Sequence, residues 1–186
     1  MYWFLLPLLA GFACDWASAF TTACSRRWGQ RRGRRVTFFL RMVIGMPAWA
    51  TGLALAVRTP APRLFPQAPA AEIAGWLLVA AGCLPMIFGL LALRFPAALP
   101  STQDALVAHG IYAHIRHPIY AGMLLEFLGL ALLFPTPAAL PACALGLAWI
   151  FVKTRLEELD LVQRMPAYRA YMQRVPRFLP RLPRKG

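Results

Sequence analysis

The chain has 186 residues, of which 59% are hydrophobic and only 15% charged, with a mean hydropathy of +0.53. Soluble domains hold about 45–50% apolar and about 25% charged residues, so this composition excludes an ordinary soluble fold and indicates an integral membrane protein whose first partner is the lipid bilayer. A net charge of +13 and a pI near 11.0 would suit nucleic-acid binding only on a polar, water-exposed fold, and the sequence offers none.

Five apolar stretches are long enough to be spanning helices, at about 3–24, 37–57, 73–93, 118–134 and 137–153. No Lys or Arg precedes the first, and it lacks a small-residue cleavage pattern, so it is not read as a secretion signal. It is followed by SRRWGQRRGRR, residues 25–35, with six arginines. The stretch from Thr59 to Pro69 is rich in Pro and Ala and reads as a structureless external loop. Between the fourth and fifth stretches, Phe134-Pro135-Thr136-Pro137 reads as the corner of a short helical hairpin. After Lys153, the residues Leu156, Leu159, Val162, Tyr168, Tyr171 and Met172 recur at helical spacing, which predicts a membrane-hugging amphipathic helix interrupted near Pro166. The expected fold is therefore a single all-α domain over 1–186. It comprises about five transmembrane helices, three of them in 1–95, with the last two a hairpin and a C-terminal cytosolic amphipathic helix.

Basic residues set the orientation. Connections one and three and the tail from Lys153 hold 17 Lys and Arg, including Arg94 and Arg116, against Arg58 and Arg63 on the opposite side. The expectation is an amino terminus outside and a carboxyl terminus in the cytoplasm. The same arginines also allow recognition of anionic lipid. Cys14, Cys24, Cys83 and Cys143 lie in or beside apolar stretches without a CxxC pair, so neither a zinc site nor a disulfide framework is expected.

Chemistry concentrates in two places on the expected cytoplasmic face. The first is GIYAHIRHPIYAG, Gly110 to Gly122. His117 is pushed out of the helical region by the following proline, and Pro118 suits the first position of the fourth span. The N–H groups of that helix start can face a polar ligand or an anion, while Tyr112 and Tyr120 offer ring faces to a heterocycle or cation. The second is KTRLEELDLVQRMPAYRAYMQRVPRFLP, Lys153 to Pro180. Adjacent Glu157 and Glu158 point about 100° apart on a helix, so one of them can enter a shared pocket and hold a ligand ammonium by a charge-assisted hydrogen bond. An interfacial aromatic belt and a solvated Glu pair are the plainer readings of these two segments taken singly.

Together, the GxYxxxRHPxYxG turn and the later EExxL…YxxYxxxVPRxxP segment resemble the isoprenylcysteine carboxyl methyltransferase and phospholipid methyltransferase family, over Leu106 to about Pro180. The resemblance implies S-adenosyl-L-methionine in a cytosol-facing pocket and a catalytic part within 96–186. It implies that Leu106, Val107 and Tyr112 line the adenosine and that His117, Pro118 and Tyr120 form the floor, with Gly110 and Ile119 also in the cofactor-binding set. Glu157, with Glu158 beside it, would bind the methionine amino group. Arg116, Lys153 or Arg155 would orient a carboxylate acceptor, and His114 or His109 would deprotonate an amine. Where the family often has Phe-Gly ahead of the tyrosines, this chain has Met165-Pro166. No GxGxG loop of the soluble methyltransferases is present.

Asp15, Arg41 and Glu126 lie inside apolar stretches, where ionisable groups are costly and point to function or pairing. Glu126 is expected to line a substrate path or to pair with Arg41. The acceptor is expected to be lipidic or amphiphilic. The Ala, Arg and Pro bias points to a bacterial inner membrane, so prenylated protein is not assumed as substrate. Two other classes share part of this pattern. A membrane NADPH-dependent sterol-type reductase has a similar HPxYxG turn but an Arg-Asp pair and a cysteine after its last span, where this chain has Glu-Glu and none. A non-enzymatic membrane scaffold or transporter would bind no nucleotide.

Overall fold

In lipid every backbone polar group must be satisfied within the chain, which leaves helices as the solution for runs this apolar. The computed structural model describes residues 2–97 and 106–181, and among these the regular elements are all helical, with no strand. In order they are α1 (Leu5–Ser18), α2 (Thr21–Trp28), α3 (Gln30–Phe38), a π-helical stretch (Phe39–Gly45), α4 (Met46–Arg58), α5 (Pro69–Ala97), a 3₁₀ turn (Gly110–Ala113), α6 (Pro118–Leu133), α7 (Ala139–Arg164) and α8 (Ala167–Arg174). The side chain of Arg94 and both Arg184 and Lys185, counted in the charge asymmetry, lie outside the described residues.

Among the described residues, three helices are long and apolar enough to cross a membrane: Gln30–Arg58, Pro69–Leu93 and Ala139–Arg164. α1 and α2 make a fourth if taken together, although they bend by 66°. The expected first span, 3–24, is therefore broken. Ser18 Oγ donates to the Asp15 carbonyl at 2.6 Å and Thr21 Oγ1 to the Ser18 carbonyl at 3.2 Å, and such local side-chain bonds compete with regular helix at the bend. α6 has 16 residues, about 24 Å at 1.5 Å per residue, shorter than a hydrocarbon core of about 30 Å.

α5 and α6 form the most extensive helix pair. Gly75, Gly82 and Gly89 on α5 meet Gly129, Gly122 and the start of α6, respectively, and a Cβ on Gly82 would stand 2.6 Å from the Gly122 carbonyl oxygen. Small residues at such a seam let backbones approach where lipid gives no hydrophobic drive for association. On the other side, Phe12, Trp49 and Trp149 stack, with ring centroids 4.9 Å apart for Phe12–Trp149 and 5.7 Å for Trp49–Trp149, tying α1, α4 and α7 into one core.

Two connections depart from expectation. The 59–69 loop has no helix until Pro69 but is pinned: Leu64 N–H donates to the Pro135 carbonyl at 2.8 Å, and Gln67 Nε2 donates to the Leu133 carbonyl at 3.1 Å. The last apolar helix does not stop at 153. α7 runs unbroken to Arg164, because Lys153 and Glu158 are buried among protein partners and do not mark an exit to water. The break comes at Met165-Pro166, after which α8 presents Tyr168 and Tyr171 inward.

Candidate active site

The two motif segments meet. Gly110 starts the 3₁₀ turn with φ +58, a left-handed conformation that glycine adopts without strain. The 3₁₀ turn ends at Ala113, and His117 then leads into Pro118, which opens α6. The tail then closes over this corner. Arg116 N–H donates to the Pro176 carbonyl at 2.9 Å and His117 N–H to the Arg177 carbonyl at 3.0 Å. Tyr171 Oη donates to the Tyr112 carbonyl at 2.6 Å, and an Arg116 Nη donates to the Met172 carbonyl at 2.6 Å.

The adjacent glutamates have separate jobs. Glu158 is almost fully buried and surrounded: Arg116 Nη2 lies 2.9 Å and His117 Nε2 3.2 Å from its Oε1, and Arg177 grips both oxygens. It is a clamp joining α7, the His-Pro corner and the tail. Glu157 instead lies on the wall of a cavity of about 410 Å³. Its Oε1 accepts from Tyr120 Oη at 2.9 Å and from Arg41, with Lys153 Nζ at 3.5 Å. Among the described residues Oε2 accepts no hydrogen bond.

Behind Glu157 sits a buried charge network. Lys153 has no exposed surface and donates to the Asp15 carbonyl and to Ser18 Oγ at 3.0 Å, with Asp15 Oδ2 at 3.2 Å. Arg41 Nε donates to Ser18 Oγ at 3.3 Å and stands 3.7 Å from Asp15 Oδ1. Two cations and two carboxylates thus neutralise one another inside the protein, the arrangement in which buried charge is tolerated. Arg41 is carried by the π-helical stretch, a distortion common at functional sites.

Of the residues singled out from sequence, Leu106, Val107, Tyr112, Arg116, His117, Ile119, Tyr120 and Glu157 line the cavity. Gly110, Pro118, Lys153 and Glu158 support it without forming its wall, while Arg155, His109 and His114 are exposed. Glu126 lines the cavity, with Cys83 Sγ 3.7 Å from its Oε1. Arg41 pairs with Glu157 and Asp15, which corrects the expected Glu126–Arg41 pair.

Sequence reasoning did not reach several wall residues. Tyr168 and Tyr171 bring two further rings to the polar end. Burial pushes the phenols of Tyr112, Tyr168 and Tyr171 up, Tyr171 to about 12, so all three stay neutral near pH 7. At the apolar end lie Met42, Met46, Met86 and Met123 with Trp49 and Trp149. Both indole N–H groups are buried and have no acceptor among the described residues. Asp15 and Arg41 carried a legible signal, as charges within apolar runs, but no sequence signal named their partners.

Among the described residues the elements are all helical, with membrane-length helices beside a partly open cavity that is polar at one end and apolar at the other, as in an integral membrane protein. The phospholipid methyltransferase family model matches residues 72–167, more than half of the chain, and the chain belongs to that family. Among similar proteins, "Protein-S-isoprenylcysteine O-methyltransferase" of Tribolium castaneum is 38% identical over 56 residues, 30% of this chain and 20% of that protein. "Cobalt-zinc-cadmium resistance protein CzcN" of Cupriavidus metallidurans is 35% identical over 81 residues, 43% of this chain and 38% of that protein. The matches therefore span well under half the length of these relatives. No solved structure matches. Among the described residues no group of three or more His, Cys, Asp or Glu could hold a metal ion.

Proposed function

We propose that the chain is an S-adenosylmethionine-dependent methyltransferase acting on a lipidic or amphiphilic acceptor. The observation that carries this reading is the Tyr120–Glu157 contact, which joins the His-Pro corner to the glutamate pair on a cavity wall. The same reading places one domain across five crossings, with α6 and α7 as the last two, the amino terminus outside and the polar end of the cavity toward the cytoplasm.

The residues present fit the cofactor. A cavity of about 410 Å³ falls within the usual range for small-molecule sites, about 300–1,000 Å³. Glu157 Oε2 supplies an acceptor for an ammonium, and a charge-assisted bond there contributes roughly twice a neutral one. Tyr112, Tyr168 and Tyr171 supply neutral ring faces, and Leu106 and Val107 an apolar edge, for the adenosine. When bound, the sulfonium supplies an electrophilic methyl carbon for in-line displacement.

The chain's own contribution is positioning, worth up to about 7–11 kcal/mol when reactants are held at near-attack geometry. Arg41 and Lys153 hold Glu157 Oε1 in place. Lys153 is thus a positioning residue and not a substrate contact, and Arg155 faces away. The methionine-lined end takes the apolar body of the acceptor, since unbranched thioether side chains adapt to irregular chains. The unpaired indole N–H groups of Trp49 and Trp149 suit an acceptor oxygen, because a buried donor left unpaired costs about 1–3 kcal/mol.

Calorimetric titration of the purified full chain with S-adenosylhomocysteine and, separately, NADPH tests the cofactor. Incubation with methyl-labelled S-adenosylmethionine and membrane lipid extract, followed by mass spectrometry, tests the reaction. Binding of NADPH alone would replace this reading with a reductase.

A further inference from the structure

From Trp16 to Ala71 the chain contains no Asp or Glu but nine arginines. Arg41 is served by Asp15 and Glu157. Six others, Arg26, Arg27, Arg31, Arg32, Arg34 and Arg35, sit on the α2–α3 hairpin, all exposed and with no ion pair among the described residues.

The hairpin is built to hold them outward. Its inner seam is Thr21, Thr22, Ser25, Gly33 and Thr37, all buried. A Cβ on Gly33 would stand 2.6 Å from Ser25 Cα, so the two helices touch there and the arginines are left outside. Arg31 repels Arg34 and Arg35 at i,i+3 and i,i+4, a pattern that destabilises a helix unless an anion intervenes.

Arg31, Arg34 and Arg35 bound a recess of about 450 Å³ whose remaining walls are Phe38 and Phe39. Those five positions recur at 3, 4, 7 and 8 residues from Arg31 and so share one face, where arginines on two successive turns are followed by two exposed rings on the next. α3 is continuous with the membrane-length helix Gln30–Arg58, which sets the arginines at its mouth and the rings toward the apolar part. Charge followed by apolar surface at that spacing matches an amphiphile with an anionic head. Guanidinium forks match phosphate oxygens.

We propose that this recess is a binding site for one anionic phospholipid, its headgroup phosphate held by Arg31, Arg34 and Arg35 and its acyl chains lying on Phe38 and Phe39. The site is separate from the cavity but linked to it, since Thr22 N–H donates to Asp160 Oδ1 at 2.9 Å and α3 runs into the stretch that carries Arg41.

The test is native mass spectrometry of the full chain from micelles containing phosphatidylglycerol or phosphatidylcholine. The expected result is a single retained phosphatidylglycerol that saturates with concentration, while phosphatidylcholine is not retained. The triple variant R31Q/R34Q/R35Q should lose at least about tenfold in affinity, given three charge-assisted contacts, whereas R26Q/R27Q/R32Q, with the same change in charge, keeps it. Non-saturating uptake by the wild-type chain, or equal loss in both triple variants, would overturn the proposal in favour of diffuse attraction. The wild-type titration decides the matter even if a variant does not fold.

Discussion

Tyr120 donates its phenolic proton to Glu157 Oε1 at 2.9 Å, closing a contact across 37 residues between the first turn of α6 and the polar stretch of α7. Replacing Glu157 with Gln removes the proposed ammonium partner and should weaken S-adenosylhomocysteine binding at least about tenfold. Tyr120→Phe removes one hydrogen bond that orients Glu157 and should cost about fivefold. Titration calorimetry on the two variants measures both; equal affinity of E157Q and wild type would remove Glu157 from the cofactor site.

Glu158 gives the contrasting case. Its contacts are to Arg116, His117 and Arg177, and leaving those cations unpaired in a buried setting costs about 3–5 kcal/mol. Glu158→Gln should lower the thermal midpoint markedly while the protein that remains folded binds cofactor normally. A variant with wild-type stability and abolished binding would reverse the roles of the two glutamates.

The α5–α6 seam predicts a purely structural effect. Gly82→Ala places a methyl 2.6 Å from the Gly122 carbonyl and should destabilise by about 1–3 kcal/mol through overpacking. Thermal unfolding in detergent measures this, with Ala80→Gly on the same helix as a control for propensity.

Trp149→Phe keeps the stack on Phe12 and Trp49 but deletes one unpaired donor. In the proposed reaction it should raise KM for the acceptor several-fold, to the extent of about one hydrogen bond, and leave cofactor affinity unchanged. Steady-state kinetics with each substrate varied in turn distinguishes this from general damage, which would move both.

Tyr171 supplies a pH prediction. Its folded pKa of about 12 lies above the usual value of 10.0 because burial disfavours the phenolate. The native state therefore holds its proton more tightly than the unfolded chain, and this contribution is complete below pH 10 and lost as pH rises through 12. Wild-type stability should fall more steeply over that window than that of Tyr171→Phe. Parallel slopes would show that Tyr171 does not couple folding to alkaline pH.

The sequence made the helical class and the meeting of two motif segments legible because both rest on local signals: apolar length, a His-Pro step and paired glutamates. What it hid was set by tertiary pairing. Lys153 closes the last apolar stretch in the sequence and reads as a residue that meets the acceptor, yet Asp15, 138 positions earlier, draws it into the interior. Arg155, two residues on, faces outward because the helix turns it away. The bend after Ser18 and the pinned 59–69 loop likewise depend on hydrogen bonds that composition does not announce.

The π-helical stretch carries a consequence for how this protein tolerates change. In an unbroken α-helix Arg41, seven residues after Arg34, would fall within about 20° of the same azimuth, among the outward guanidiniums. Wider winding between Phe39 and Gly45 alters that phase, so one rod shows basic residues to the exterior at its start and delivers a cation inward further along. Deleting a single amino acid there would restore regular winding and leave Glu157 without its closest cation, so the length of this stretch matters as much as the identity of Arg41.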